Sequence, residues 1–357
     1  MKTLPSLRSA LRSSALALVL AAGLAPSAGA GEAVAVAASI KPVHSLVAAV
    51  MDGVGAPGII VDGAASPHTY ALKPSTARVL EKAELIFWVG PRLETFLVKP
   101  LETLGAGARS IELGEAHDLT LLPVRAGGAF ERHSHDDEDD DGDEHGHREA
   151  AQPHDTHAHG EAAKDHDGHA HADQESRDHG GHDHDGMDSH IWLDPMNAKA
   201  MVHEIEEALS EADPANAERY KANAEAVEAR LDALTAEIAA ELAPVKDRSF
   251  VVFHDAYQYF EARFGLAAAG SITVSPEVMP GAERVADLRA KIKDLKVACV
   301  FSEPQFQPKL VSVLVEGTQA RAGVLDPLGA DLADGPELYF DLIRGLAASV
   351  KDCLSGS

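Results

Sequence analysis

Residues 213–244 read DPANAERYKANAEAVEARLDALTAEIAAELAP, and this stretch decides the layout of the chain. Asp213-Pro214 supplies a capping acid followed by a proline in the first turn, and Pro244 is the next breaker. Between them Tyr220, Ala224, Val227, Leu231, Leu234, Ile238 and Leu242 recur at spacings of three and four, which puts them on one face of a single helix. From Pro214 to Ala243 such a helix would be ~45 Å long at 1.5 Å per residue. That is more than one domain ordinarily needs. A rigid connector between two lobes is the first reading, and a long surface helix of one domain is the alternative.

On the N-terminal side of this helix short apolar runs alternate with helical patterns. Ala33–Ala38, Gly58–Val61, Leu85–Val89 and Ser110–Leu113 read as strands, with helices opening at Pro42 and running over Lys73–Lys82 and Arg92–Leu104. On the C-terminal side the alternation resumes. Phe250–Phe253, Ala267–Ile272, Val297–Phe301 and Ala322–Leu325 are strand-like, and Tyr257–Phe264, Glu283–Lys293, Pro308–Val315 and Glu337–Asp352 are helical. Alternation of this kind predicts an α/β fold with parallel sheets covered on both faces. The expected division is residues 31–212 as an N-terminal lobe, 213–244 as a connecting helix and 245–357 as a C-terminal lobe.

Charge singles out a further segment. The 357-residue chain carries a formal −26, but residues 131–189 hold 20 acids against four bases, leaving only −10 for the remainder. The same segment holds 13 of the 19 histidines. Five His-x-His repeats stand in it: His133 with His135, His145 with His147, His157 with His159, His169 with His171, and His182 with His184. With few apolar residues the segment cannot bury enough surface to offset its ordering entropy, so a disordered loop is expected. Alternating imidazoles and carboxylates offer many weak ligand sets, which suits a metal-collecting role better than a plain acidic spacer. Elsewhere no Lys/Arg stripe is dense enough for phosphate contacts, which argues against a nucleic-acid partner.

The first thirty residues combine a basic start (Lys2, Arg8, Arg12), an apolar run over Ala15–Ala22 and small residues ending Ala28-Gly29-Ala30. This describes a cleavable export signal over residues 1–30, too short to span a bilayer permanently. The mature chain is expected to be soluble and periplasmic, without a lipid anchor, since neither cysteine lies near the cleavage site. Its two cysteines, Cys299 and Cys353, read most simply as one disulfide after export, with two buried free thiols as the alternative.

In open α/β sheets ligands bind beyond the carboxyl ends of strands. His68 follows the strand ending at Val61, His254 follows Phe250–Phe253, and Asp326 follows the strand ending at Leu325. His190 stands at the end of the insert. Three neutral imidazoles and at most one carboxylate suit tetrahedral Zn²⁺, whereas Mg²⁺ and Ca²⁺ want more oxygen ligands and Mn²⁺ favours more carboxylates. His44, His117 and His203 have nothing beyond their residue type in their favour and read as structural.

Several motifs carry a resemblance. Ser39-Ile40-Lys41-Pro42, Pro67-His68-Thr69-Tyr70, Trp88-Val89-Gly90, His190-Ile191-Trp192-Leu193-Asp194-Pro195, Phe253-His254-Asp255-Ala256-Tyr257, Ser302-Glu303-Pro304-Gln305-Phe306 and Leu325-Asp326-Pro327-Leu328-Gly329 stand in the order seen in metal-binding solute-binding proteins of ABC transporters. The chain resembles their zinc-uptake, ZnuA-type branch over nearly its whole mature length. The resemblance implies two similar β/α lobes bridged by a rigid helix, with one Zn²⁺ in the cleft between them. It carries His68, His190 and His254 over as metal ligands, and supports a Cys299–Cys353 disulfide. The expected partners are an inner-membrane ABC permease and a zinc metallochaperone, and the chain is expected to be monomeric and without enzymatic activity.

Pro67 departs from this pattern: some zinc-specific members have a coordinating acid immediately before the first ligand histidine. Asp326 occupies the place where relatives, notably manganese-binding ones, supply a carboxylate. It is therefore the expected fourth ligand, with water as the competitor. Two other functions compete. A secreted zinc hydrolase would also use three histidines and an open position, with Glu303 and Asp255 as the nearest acids to serve as general base. A manganese-binding or adhesin-type relative is the other.

Overall fold

The computed structural model describes residues 33–125, 186–273, 280–306 and 309–356. The export signal expected over residues 1–30 lies outside the described residues. So do the ten metal-collecting histidines expected of the insert, namely His133, His135, His145, His147, His157, His159, His169, His171, His182 and His184.

The N-terminal half builds one parallel sheet. Its strands are β1 (Val36–Ile40), β2 (Gly58–Val61), β3 (Leu85–Trp88) and β4 (Arg109–Glu112), in the order β2-β1-β3-β4. All five residues of β1 and all four of β3 are buried, because helices cover both faces of the central strands. Helix α1 (Lys41–Val50) follows β1 directly, with Pro42 in the first turn where a missing N–H costs nothing. Helices α2 (Pro74–Lys82) and α3 (Val98–Thr103) complete the crossovers. Two long helices follow, α4 (Pro195–Ala212) and α5 (Ala217–Leu242).

The second half repeats the plan. Strands β5 (Phe250–His254), β6 (Ala268–Thr273), β7 (Cys299–Ser302) and β8 (Arg321–Val324) pair in parallel as β6-β5-β7-β8, the same order counted from its own first strand. Helices α6 (Gln258–Phe264), α7 (Ala282–Asp294), α8 (Lys309–Val315) and α9 (Leu338–Ser355) surround it. This is a two-lobed α/β fold. In each sheet the order reverses at the first strand, so the carboxyl ends there open the crevice in which such sheets bind ligands.

All seven residues of the predicted apolar stripe on α5 are buried. The helix packs along α4, α1 and α9, and one apolar core runs from Val43 and Leu46 on α1 through Leu231 and Leu234 to Leu342 and Leu346 on α9. The helix starts later than the sequence suggests. Asp213 ends α4, and its carboxylate accepts from Tyr220 Oη at 2.9 Å and Asn216 Nδ2 at 2.7 Å, so it braces the turn between two helices and caps no backbone N–H of α5. The segment Arg92–Leu104 is likewise not one helix but a 3₁₀ turn (Thr95–Leu97) followed by α3. Pro100 lacks an N–H and excludes a bond to the carbonyl four residues back, so a helix containing it begins within the turn before it. The first strand lies two to three residues later than expected, running into Ser39-Ile40.

Cys299 on β7 and Cys353 near the end of α9 are disulfide-bonded, with Cα atoms 6.0 Å apart and a sequence separation of 54. The bond pins the last helix to a central strand. Replacing both cysteines by alanine is expected to lower unfolding free energy by up to about 4 kcal/mol, the loop-closure value, in chemical denaturation of the metal-free chain. An unchanged denaturation midpoint would show that α9 is held by packing alone.

Glu94 is completely buried after β3 and accepts the backbone N–H groups of Val89 (3.3 Å) and Gly90 (2.9 Å), fixing the turn that leaves the strand. Burial pushes its pKa up to about 7. The folded state thus holds a proton that the unfolded chain releases near its ordinary value. Stability from this group is greatest at acid pH and is lost as pH rises from about 4.5 to 7, by a total on the order of 3 kcal/mol. Glu94→Gln should flatten this part of the profile, read as the difference in unfolding free energy between wild type and variant from pH 5 to pH 8.

Candidate metal centre

His254 is the last residue of β5 and is 5% exposed, so its position is set by the sheet itself. Glu303 is the first residue after the neighbouring strand β7, and its Oε1 accepts from His254 Nδ1 at 2.7 Å. Two adjacent strand ends thus supply the imidazole and the carboxylate that orients it.

His190 is held differently. It precedes a 3₁₀ turn (Ile191–Leu193) that leads into α4, where Asp194 caps Met196 N at 2.8 Å and Pro195 takes the first helical position. Asp188 Oδ1 accepts from both the backbone N (3.0 Å) and Nδ1 (2.7 Å) of His190. The rest of the motif faces the other half of the chain. Trp192 Nε1 donates to the carbonyl of Pro327 at 2.8 Å, and Arg263 of α6 grips both oxygens of Asp194 at 2.7 Å. His68 comes from the loop between β2 and α2 and is half-buried.

The three rings converge through their Nε2 atoms. His68–His190 and His190–His254 are each 3.3 Å apart, and all three ligand atoms lie within 4.8 Å of one another. With Nδ1–H donated to Asp188 and to Glu303, His190 and His254 each present an Nε2 lone pair to the centre. Imidazoles around tetrahedral zinc at about 2.0–2.1 Å have nitrogens about 3.3 Å apart, so the His68–His190 and His190–His254 separations fit that ion. The electrostatics agree with a cation-accepting site. Burial, with the neighbouring His190 and His254 rings, holds His68 well below the ordinary histidine pKa, and therefore neutral and ready to ligate. Burial opposes charge on His254 most strongly, but the carboxylates of Glu303, Asp188 and Asp255 together outweigh it and raise the pKa. Positive charge at this ring is therefore welcome.

Residues 36–353 match the family described as zinc-uptake complex component A, periplasmic (ZnuA). The chain belongs to the ZnuA family. It is 55% identical over 345 residues to the high-affinity zinc uptake system protein ZnuA of Brucella suis, covering 97% of this chain and 99% of that one. It is 35% identical over 350 residues to the protein of the same name from Yersinia pestis, with 98% of each chain covered. A crystal structure of ZnuA shares the fold at a TM-score of 0.66, with 23% identity over 90% of this chain and 99% of that one.

Within this ZnuA-family chain the expected fourth ligand is not brought to the cluster. Asp326 Oδ1 accepts from Leu328 N, Gly329 N and Gln305 Nε2 at 3.1, 3.0 and 2.9 Å, and Oδ2 accepts from Ala330 N at 2.6 Å. Those bonds build the turn after β8, the role its Pro327 neighbour also suits. Pro67 lines the His cavity beside His68 and offers no side-chain ligand there. Glu303 also lines that cavity, and its Oε2 is buried without a hydrogen-bond partner.

Sequence reasoning passed over Asp188 and Arg125. Asp188 was submerged in the acid-rich insert, yet Gly186–Ser189 belong to the folded body: Met187 forms an antiparallel bridge with Pro123, and Asp188 is 7% exposed. The Asp-Ser-His order at 188–190 was the available signal. Among the described residues the three histidines form the only cluster of three or more His, Cys, Asp or Glu whose ligand atoms converge enough to hold a metal ion. The paired histidines of the insert, from His133 and His135 through His145, His147, His157, His159, His169 and His171 to His182 and His184, fall outside the described residues and so are not placed relative to this centre.

Proposed function

We propose that this chain captures Zn²⁺ in the periplasm through Nε2 of His68, His190 and His254 and delivers it to an inner-membrane ABC permease for import. The observation that carries this reading is the pair of 3.3 Å Nε2 separations, with two rings already turned and held by buried carboxylates. Three imidazoles without a carboxylate in the cluster favour zinc over manganese. The fourth position is taken by water, since Glu303 faces Nδ1 of His254, on the side of the ring away from the metal.

No chemical step is assigned to the centre. The two acids nearest in sequence to a general-base role are engaged elsewhere, Glu303 with His254 and Asp255 with Arg125. Among the described residues no helix is long and apolar enough to cross a membrane, which fits export behind a cleaved signal at residues 1–30. The chain acts as a monomer, with a zinc metallochaperone as a further partner. The His/acid insert raises the local zinc concentration, and the described residues on either side of it meet closely enough for a short bridge to replace it, since Val124 N donates to Gly186 O at 2.7 Å.

The test is a zinc titration of the mature chain and of one in which residues 126–185 are replaced by a short Gly/Ser turn. One tight zinc equivalent, outcompeting manganese, is expected in both, with further weaker equivalents only in the full chain. Loss of the tight equivalent along with the insert would contradict the cleft assignment.

A further inference from the structure

Beyond the ligands and their carboxylates, one group of contacts joins the base of the insert to the opposite lobe. Arg125 stands where the chain enters the insert, one residue beyond Val124, which bonds Gly186 across the stem. Its guanidinium meets two carboxylates of the C-terminal lobe. Nε donates to Asp255 Oδ1 and Oδ2 at 3.0 and 3.1 Å, and Nη2 also bonds Asp255. Nη1 and Nη2 donate to Glu261 Oε2 and Oε1 at 2.8 and 3.0 Å. The side chains of Asp255 and Glu261 are 13% and 4% exposed, so the pairs are shielded from water and their planar geometry is the kind a guanidinium alone provides.

Asp255 is bonded in sequence to His254. On the other arm of the stem Asp188 holds His190. Tyr259 cross-ties the arms, accepting from Leu122 N at 3.1 Å and donating to the carbonyl of Asp188 at 2.8 Å. The stem therefore touches the segments carrying two of the three histidines, one through Asp255 and one through Asp188.

Taking the proposed zinc site as its basis, we infer that Arg125 is a positioning residue of the metal centre: with Tyr259 it forms a clasp that fixes His254 relative to His190 across the cleft. The clasp resides in the stem and is independent of any metal the insert binds. Zinc held by a centre whose two halves are tied leaves slowly, and loosening the tie frees one half to move away from the ion.

The experiment uses the full mature chain with Co²⁺ as a spectroscopic substitute and Zn²⁺ for kinetics. Arg125→Met is expected to speed release of the cleft zinc into excess chelator by at least ~10-fold, the range for loss of an orienting partner, and to change the intense visible bands of four-coordinate Co²⁺. Because Arg125→Met also strands two buried carboxylates, the decisive variant is Arg125→Met/Asp255→Asn/Glu261→Gln. It should melt like wild type when metal-free yet keep the fast release and altered bands, while Arg125→Lys recovers part of the slow release. Wild-type bands and release rate in the triple variant would overturn the clasp. A wild-type chain whose Co²⁺ bands survive His190→Ala would instead overturn the three-histidine site on which the clasp rests.

Discussion

Replacing His254 with alanine is expected to weaken binding of the tight zinc by about two to three orders of magnitude. Protein zinc sites with four ligands bind with about 10–16 kcal/mol, or roughly 2.5–4 kcal/mol per ligand, which corresponds to about 100- to 1,000-fold. His254 is the best residue for this test because the sheet fixes it: it ends β5, is nearly inaccessible, and sits 3.3 Å from His190 through Nε2. Alanine leaves a small cavity at the strand end and removes the partner of Glu303, so the metal-free variant should remain folded by circular dichroism. Competition with a chromophoric chelator measures the effect. The same substitution at the exposed His203 on α4 should leave the affinity unchanged.

Glu303 should come next in magnitude. It neither forms part of the His cluster nor faces bulk water, yet Glu303→Ala is expected to lower zinc affinity by about 10- to 100-fold, the usual cost of losing a carboxylate that orients a metal-bound histidine. Without it His254 loses the acceptor for Nδ1, the tautomer with the lone pair on Nε2 is no longer imposed, and the charge that favours a cation at the ring is gone. Glu303→Gln separates these effects. It retains an acceptor oxygen and removes the charge, so its loss should fall nearer the lower end. Equal affinities for Gln, Ala and wild type would mean that the strand alone orients the ring.

Much of this molecule was legible because its signals are local. Buried parallel strands are short apolar runs, and the stripe from Tyr220 to Leu242 has helical periodicity, so both sheets and the longest helix could be placed to within a few residues. The three histidines were legible as well, because strand ends and a seven-motif resemblance marked them, and the structure brings their Nε2 atoms together. What stayed hidden depends on partners far away in sequence. Glu303 meets His254 across 49 residues, and Arg125 meets Asp255 and Glu261 across 130 and 136. No periodicity records such pairs. Asp326 shows the converse. Its place after a strand suggested a ligand, but the chain turns sharply after it and the backbone N–H groups of Leu328, Gly329 and Ala330 take its oxygens first. Asp213 failed as a cap for a related reason, since Tyr220 and Asn216 bind its carboxylate before any backbone donor does.

The central claim is that one zinc ion is held by the Nε2 atoms of His68, His190 and His254. Anomalous diffraction at the zinc edge, from crystals of the mature chain loaded with a single equivalent of zinc, tests it most directly. A single strong peak is predicted about 2.0–2.1 Å from each of the three Nε2 atoms, with Asp326 remaining in its turn. A principal peak coordinated by the insert histidines, or one that excludes any of the three, would contradict the account.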